Sequence, residues 1–138
     1  MAFSPYLMFN GTCRDAFTKY QEIFGGELFM MPMSDAPGGE APPDANPDLI
    51  IHAALNVAGN MLMASDDPTS DGGAKLGIHV AVNLADLSEA NRVFDALAEG
   101  GEVTQPLIET FFSPGFGTCT DRWGIPWMVS VDQAPPAG

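Results

Sequence analysis

Two stretches of this chain, beginning at Thr12 and at Asp86, follow one pattern, and that repetition constrains the fold most. In each stretch a capping residue precedes a carboxylate by three positions, Asp15 in the first and Glu89 in the second, as at a helix N-terminus. Apolar residues then recur at three- and four-residue spacing, and each stretch closes on Gly-Gly-Glu. The pattern predicts two amphipathic helices that end at their glycines, where left-handed backbone geometry costs little.

Apolar, strand-like segments flank both predicted helices in the same order: one strand, the helix, then three strands. In the first half the strands are expected at 3–10, 28–33, 49–57 and 61–65, with the helix at about 14–24. In the second half they are expected at 76–84, 102–112, 117–121 and 126–131, with the helix at about 87–99. The expected fold class is therefore α+β, two βαβββ modules whose curved mixed sheets form a shared cleft.

The predicted boundaries follow the breaks in the apolar pattern. The first module is expected at 1–66, the linker at 67–75, the second module at 76–132 and a tail at 133–138, all within one domain. Segment 34–48 is rich in proline and glycine, and it is predicted to be a long loop, either a lid or a disordered connection.

Charge and hydropathy narrow the classes of function. Of the 138 residues, 46% are hydrophobic, and 18 acidic side chains face five basic ones, for a formal net charge of -13. This charge repels phosphate backbones and anionic lipid, so neither nucleic acid nor a membrane is expected as a partner. The negative charge either keeps the protein soluble or attracts a cationic ligand. No apolar run approaches the ~20 residues of a membrane span, and no signal-peptide pattern is seen, so a cytoplasmic protein is expected.

The two cysteines, Cys13 and Cys119, lie far apart in sequence and in no Cys-x-x-Cys pair. We expect both to be reduced and buried, as is usual for a cytosolic protein. Zinc-ribbon and thioredoxin-like sites are excluded by the spacing.

Several motifs spread over nearly the whole chain resemble one known family. They are Pro5 to Gly11 with Cys13, the helix residues Ala16-Phe17, Tyr20 and Phe24 to Gly26, the strand residues His52-Ala53 and Leu55, the run Leu62 to Asp66, and Asp121 to Trp127. Together they resemble the vicinal oxygen chelate superfamily, which includes glyoxalases, bleomycin-resistance proteins and extradiol dioxygenases, and within it the PhnB-like branch. Some relatives carry the label of a ubiquinone-pathway methyltransferase. No glycine-rich turn leads from a strand into a helix here, so that activity is not expected.

The resemblance implies where a metal site would lie. Metal-using relatives place His, Glu or Gln at four strand positions, which fall here at Tyr6, Met63, His79 and Met128. Only His79 suits a divalent ion, because tyrosine and thioether are poor ligands for one. The standard site is therefore predicted to be absent. No cofactor is predicted. The one candidate is a divalent metal at His79. Ligand contacts are expected at these four strand positions and at Met8 and Ala81.

Both histidines of the chain occur in matching contexts, His52-Ala-Ala-Leu-Asn and His79-Val-Ala-Val-Asn. On a strand, each histidine would share a face with an alanine and an asparagine, which leaves room for a ligand. Imidazole can act as a general acid or base, so His52 and His79 are the candidate catalytic residues. They could equally be sheet residues with backbone or water partners, or metal ligands completed by Glu109 or Asp66.

Three functions are compatible with these features. The first is a PhnB-like small-molecule-binding protein with a degenerate metal site, which would act as an enzyme on a small metabolite. The second is a non-catalytic binder of the bleomycin-resistance type, and the third is a metal-dependent lyase or isomerase with altered ligands. A homodimer is expected from the resemblance, and the turn that carries Phe111, Phe112 and Phe116 is a candidate contact surface.

Overall fold

The computed structural model describes residues 1–35, 46–71 and 73–132, and the chain divides into two compact units. The first unit is Met1–Gly72 and the second is Gly73–Gly138. Each unit is considered by itself below. Most of the predicted loop at 34–48 and all of the predicted tail at 133–138 lie outside the described residues. No helix within the described ranges is long and apolar enough to cross a membrane.

The first unit is one helix packed on a four-stranded mixed sheet. Its elements are β1 (Tyr6–Phe9), α1 (Cys13–Phe24), β2 (Glu27–Pro32), β3 (Ile50–Val57) and β4 (Asn60–Asp66), with a short 3-10 turn at Met33–Asp35. The strands lie in the order β1-β4-β3-β2. The pair β1 and β4 is parallel, and the other two pairs are antiparallel.

The second unit repeats this design. Its elements are β5 (Val80–Leu84), α2 (Leu87–Ala98), β6 (Glu102–Ile108), β7 (Phe116–Thr120) and β8 (Pro126–Val131). The order β5-β8-β7-β6, with β5 and β8 parallel, matches the first sheet strand for strand. The α+β class and the two βαβββ modules predicted from the sequence are thereby confirmed.

Each helix buries its apolar stripe against one face of its own sheet. In α1 the buried residues are Cys13, Ala16, Phe17, Tyr20 and Ile23, and in α2 they are Ala90, Val93, Phe94 and Leu97. Phe17 meets Phe9 of β1 edge to face, with ring centroids 6.2 Å apart. Opposite the helices, β3 buries Ala53 and Leu55 and β8 buries Trp127, Val129 and Val131, so burial of apolar area stabilises each unit.

The start of α1 differs from the predicted cap. Thr12 makes no side-chain capping bond, because its backbone is not in the extended conformation that such a cap requires. Instead, Asp66 at the end of β4 supplies the acceptor at this helix start. Its Oδ1 accepts hydrogen bonds from the backbone N–H of Gly11 and of Cys13. Its Oδ2 accepts the N–H of Ile50, the first residue of β3. One carboxylate thus joins the β1–α1 turn, β3 and β4.

The second unit has a conventional helix start and a separate carboxylate anchor. The side chain of Asp86 accepts the N–H of Glu89 at 2.7 Å, which confirms the predicted cap of α2. Asp121, after β7, is buried and accepts the N–H of Trp123 and of Ile125 on Oδ1. Its Oδ2 accepts the indole N–H of Trp127, at 2.9 Å. This anchor shapes the β7–β8 turn.

The repeated glycine pairs have a packing role beyond ending the helices. A β-carbon at Gly26 would collide with the carbonyl oxygen of Asn56 on β3, and one at Gly101 would collide with that of Thr120 on β7. The second glycine of each pair therefore allows the chain to approach the sheet closely. The predicted end of α2 at its glycines is wrong by one residue, because Glu99 caps the helix first.

Several predicted strands prove shorter. Segment 3–10 is a strand only at Tyr6–Phe9, and 102–112 is a strand only at Glu102–Ile108. The strand expected at 76–84 begins at Val80, because the chain turns at Leu76-Gly77, where Gly77 has a φ of 84°. The 3-10 turn at Met33–Asp35 lies partly in the segment predicted to be irregular.

The Asp66 anchor predicts a specific loss of stability. The change Asp66→Asn removes the charge and replaces one acceptor oxygen with a donor that faces backbone N–H groups. Because hydrogen bonds to a charged group are worth about 1.5–3 kcal/mol each, we expect the free energy of unfolding to fall by about 2–3 kcal/mol in urea denaturation.

The matched control is Asp95→Asn, which removes the same charge from an exposed position on α2. It should change the free energy of unfolding by no more than about 0.5 kcal/mol. Equal effects of the two substitutions would show that charge, and not the anchor, determines stability.

Candidate functional site

The face of the first sheet opposite α1 gathers most of the candidate site residues. We call it the open face. By strand register it carries the side chains that alternate with those facing α1: Tyr6, Met8, Glu27, Phe29, Met31, His52, Ala54, Asn56, Met61, Met63 and Ser65. The ring of Tyr6 is 44% exposed and that of Phe29 is 52% exposed. Apolar side chains at such exposure, grouped on one face, form a surface that can receive a ligand.

Strand register arranges this face in rows. One row runs across all four strands from Tyr6 through Met63 and Ala54 to Phe29, each directly opposite the next. In the neighbouring row Met31 lies opposite His52, and Met8 lies opposite Ser65. The register therefore surrounds one imidazole with aromatic rings and thioethers.

Tyr6 and His52 form a hydrogen-bonded pair on this face. The hydroxyl of Tyr6 lies 3.2 Å from Nδ1 of His52. The two rings are stacked, with centroids 5.8 Å apart and an interplanar angle of 26°. The ring of Phe29 also lies near the imidazole, with a centroid distance of 6.4 Å. The imidazole is thus fixed in orientation while it stays partly accessible.

The structure places the other predicted histidine differently. His79 is exposed and precedes β5, so the prediction that it lies on a strand with Ala81 and Asn83 is wrong. The cause is the Leu76-Gly77 turn, which delays the start of the strand. The two histidines also belong to different parts of their units, because His52 lies on the third strand of the first unit and His79 precedes the first strand of the second. Their matching sequence contexts therefore do not produce matching positions.

Two further predicted contact residues, Ala81 and Met128, are direct partners across β5 and β8. Met128 is also opposite Thr118 of β7, whose hydroxyl lies 2.6 Å from that of Thr104. Beside them, the hydroxyl of Ser130 donates to Asn83 at 2.6 Å. This face of the second sheet carries hydroxyl and amide groups where the first carries Tyr6 and His52.

The two carboxylates considered as partners for a histidine have other surroundings. Asp66 accepts three backbone N–H groups and lies on the side of β4 that faces α1. Glu109 belongs to the second unit, where it lines an open groove of about 410 Å³ together with Thr110, Phe111, Ser113 and Pro114. The main role of Asp66 is therefore structural.

The donor set does not fit a divalent metal ion. Among the residues that the structure describes, no group of three or more His, Cys, Asp or Glu side chains could hold one. Tyr6, Met63 and Met128 supply a phenol and thioethers at three of the four positions implied by the resemblance, and a catalytic divalent site needs about three protein ligands of harder character.

Neither cysteine is placed for nucleophilic chemistry. Both are buried free thiols, as expected. Burial, reinforced by the Asp66 carboxylate, raises the pKa of the Cys13 thiol to about 12. Burial and Asp121 raise the pKa of the Cys119 thiol to about 11. A nucleophilic cysteine needs a lowered pKa, so both thiols belong to the core.

Phe29 was not among the site residues predicted from the sequence. The alternation Glu27-Leu28-Phe29-Met30-Met31 indicates which residues of β2 share a face. It does not fix the pairing of β2 with β3, which brings Phe29 and Met31 beside His52. Register depends on the whole sheet and on the connection between the strands.

The second unit carries an aromatic cluster. Phe111 is 94% exposed and Phe112 is 45% exposed, and Phe112 meets both Phe111 and Phe116 edge to face at 5.1 Å. A groove of about 350 Å³ lies beside them, lined also by Pro106 and Ile108. Phe111 and Phe112 are therefore exposed at this turn.

Comparisons with known proteins support one family. A family model described as 3-demethylubiquinone-9 3-methyltransferase matches residues 1–130. The chain is 37% identical over 148 aligned positions to Protein YjdN of Escherichia coli K12, and the match covers 99% of each.

Solved structures agree with this result. The crystal structure of protein PA1353 from Pseudomonas aeruginosa superposes with a TM-score of 0.87 at 43% identity, covering 97% of this chain and 99% of that one. A PhnB protein from Bacillus cereus has a TM-score of 0.76 at 23% identity, covering 95% and 99%, and shows a shared fold.

A more distant neighbour also shares the fold. The fosfomycin resistance protein FosX from Listeria monocytogenes superposes with a TM-score of 0.64 at 10% identity, covering 96% of this chain and 93% of that one. The match over residues 1–130 and the two close relatives show that this chain belongs to the family of that model, the PhnB-like family that its sequence resembles.

Proposed function

We propose that this chain binds a small molecule on the open face of the first sheet, with Tyr6 and His52 as its polar contacts. The observation that carries the proposal is the stacked, hydrogen-bonded pair of these two side chains, partly exposed among apolar neighbours. Ligand sites commonly combine an apolar lining with a few placed polar groups. Met8 and Met63 supply adaptable apolar contacts beside the pair.

The favoured form of this function is an enzyme on a small metabolite. A neutral imidazole held by a phenol can accept or donate a proton at Nε2, and the Tyr6 hydroxyl can polarise an oxygen of the ligand. Such a step requires neither a thiol nucleophile nor a divalent ion. We also propose ligand contacts at Ala81 and Met128. His79 is proposed as a further acid–base group and ligand contact.

A second candidate is a non-catalytic binder of the bleomycin-resistance type. The net charge of -13 and the exposed rings of Tyr6 and Phe29 favour an organic cation, because aromatic faces attract positive charge. A metal-dependent lyase or isomerase is disfavoured by the donor set. Methyl transfer is disfavoured because the β1–α1 turn, Asn10-Gly11-Thr12, is not the glycine-rich loop of a nucleotide-type cofactor site.

We test the proposal by ligand-observed NMR with a library of polar metabolites and cationic glycopeptides. For a confirmed ligand, we expect His52→Ala to raise the dissociation constant about tenfold, which is about 1.4 kcal/mol. Tyr6→Phe should raise it about three- to tenfold, the loss of one hydrogen bond. Turnover of a bound metabolite separates the enzyme from the pure binder.

The matched control is Thr18→Ala, which removes an exposed polar side chain from α1, on the opposite face of the same sheet. It should leave the dissociation constant within about twofold of the original, because it does not lie on the open face. Ligands that bind Tyr6→Phe and His52→Ala as tightly as the original chain would refute the site.

We also propose a cytoplasmic homodimer, in line with the reduced thiols and with the family. The cluster of Phe111, Phe112 and Phe116 is the candidate contact surface, because exposed aromatic residues are frequent anchors of interfaces.

Sedimentation velocity tests this surface with the change Phe111→Ser. We expect the dimer to dissociate at least tenfold more readily, since an exposed aromatic anchor is worth about 2 kcal/mol when truncated. Phe3→Ser is the control, because Phe3 is also 95% exposed but lies in the first unit. A dimer that Phe111→Ser leaves intact would exclude this surface.

A further inference from the structure

The open face brings two thioethers within reach of one imidazole. Met31 lies directly opposite His52, and Met63 lies opposite Ala54, the next residue of β3 on the same face. In an antiparallel pair, directly opposed β-carbons lie about 5 Å apart and diagonal ones about 7–8 Å apart, distances that long side chains can span. Three soft or borderline donors can therefore converge above β3.

Tyr6 prepares the imidazole for coordination. Its hydroxyl lies 3.2 Å from Nδ1 of His52, and the stacked rings fix the orientation of the imidazole. When Nδ1 carries the proton and donates it to the Tyr6 oxygen, the Nε2 lone pair points away from the pair. Histidine ligands of metals commonly have their second nitrogen held in this way by a neighbouring group.

The chemistry of the donors selects the ion. Thioether sulfur is a soft ligand that favours Cu(I), while Zn²⁺ and other divalent ions favour thiolate, imidazole or carboxylate in larger number. No carboxylate lies in this row of the face, and the described residues contain no divalent cluster. Met8 is set apart, because its sulfur accepts a hydrogen bond from Ser65 at 3.7 Å.

We infer that the open face of the first sheet binds one Cu(I) ion through Nε2 of His52 and the sulfur atoms of Met31 and Met63. The ion enters and leaves as a cation without change of oxidation state. The net charge of -13 favours its approach. This site goes beyond the proposed small-molecule function and does not depend on it.

The test is an anaerobic titration of the whole protein with Cu(I) against a chromophoric Cu(I) chelator, with Ag(I) as a redox-inert probe. We expect one equivalent to bind, and His52→Ala to weaken binding at least tenfold. Met31→Leu and Met63→Leu keep the side-chain volume, and each should weaken binding about three- to tenfold, since each removes one ligand.

One control matches these variants closely. Met30→Leu changes the neighbouring methionine, which is paired with Ala53 on the side that faces α1. It should change the affinity by no more than about twofold. In the NMR spectrum of ¹³C-methyl methionine, Ag(I) should shift the signals of Met31 and Met63 but not that of Met30.

Three results would overturn the inference. The first is Cu(I) binding by the original chain that is no tighter than binding by the Met31→Leu, Met63→Leu double variant. The second is an equal loss of affinity in Met30→Leu and Met31→Leu, and the third is displacement of Ag(I) by Zn²⁺ at equal concentration. The small-molecule proposal is tested separately, because Met31→Leu removes a Cu(I) ligand and leaves the Tyr6–His52 pair in place. Failure of one proposal is therefore distinguishable from failure of the other.

Discussion

The carboxylate of Asp66 is the interaction on which the first unit depends. It holds the turn after β1, the beginning of β3 and the end of β4 at one point. Tyr6 lies on β1 and His52 lies two residues after the anchored Ile50, so the same carboxylate fixes the two strands that carry the candidate site. A backbone anchor on the α1 side thereby determines side-chain geometry on the open face, because strand register couples the two faces.

The duplicated fold carries different chemistry in its two copies. Both sheets have the same strand order, and both use a carboxylate to order backbone amides, Asp66 in one and Asp121 in the other. The first open face carries a phenol, an imidazole and thioethers, whereas the corresponding face of the second sheet carries hydroxyl and amide groups such as those of Thr118 and Asn83. Function in this family therefore has to be argued from the site, since the fold is shared by both halves.

The sequence predicted the modules well because helix periodicity and glycine pairs are local signals. It predicted the cap at Asp86 but not the replacement of the Thr12 cap by Asp66, which is distant in sequence. It placed Tyr6, Met8, Met63 and His52 on strands of one sheet, but it placed His79 on a strand that begins one residue later. Phe29 escaped notice because cross-strand register, unlike periodicity, depends on the long connection between β2 and β3.

The most direct test of this account is a long-range ¹H–¹⁵N NMR spectrum of the imidazole nitrogens, before and after Tyr6→Phe, with His79→Ala to assign the signals. We expect Nδ1 of His52 to show a hydrogen-bonded shift that Tyr6→Phe removes. A spectrum in which the two histidines are alike, and in which Tyr6→Phe changes neither, would contradict an organised Tyr6–His52 pair and the site built on it.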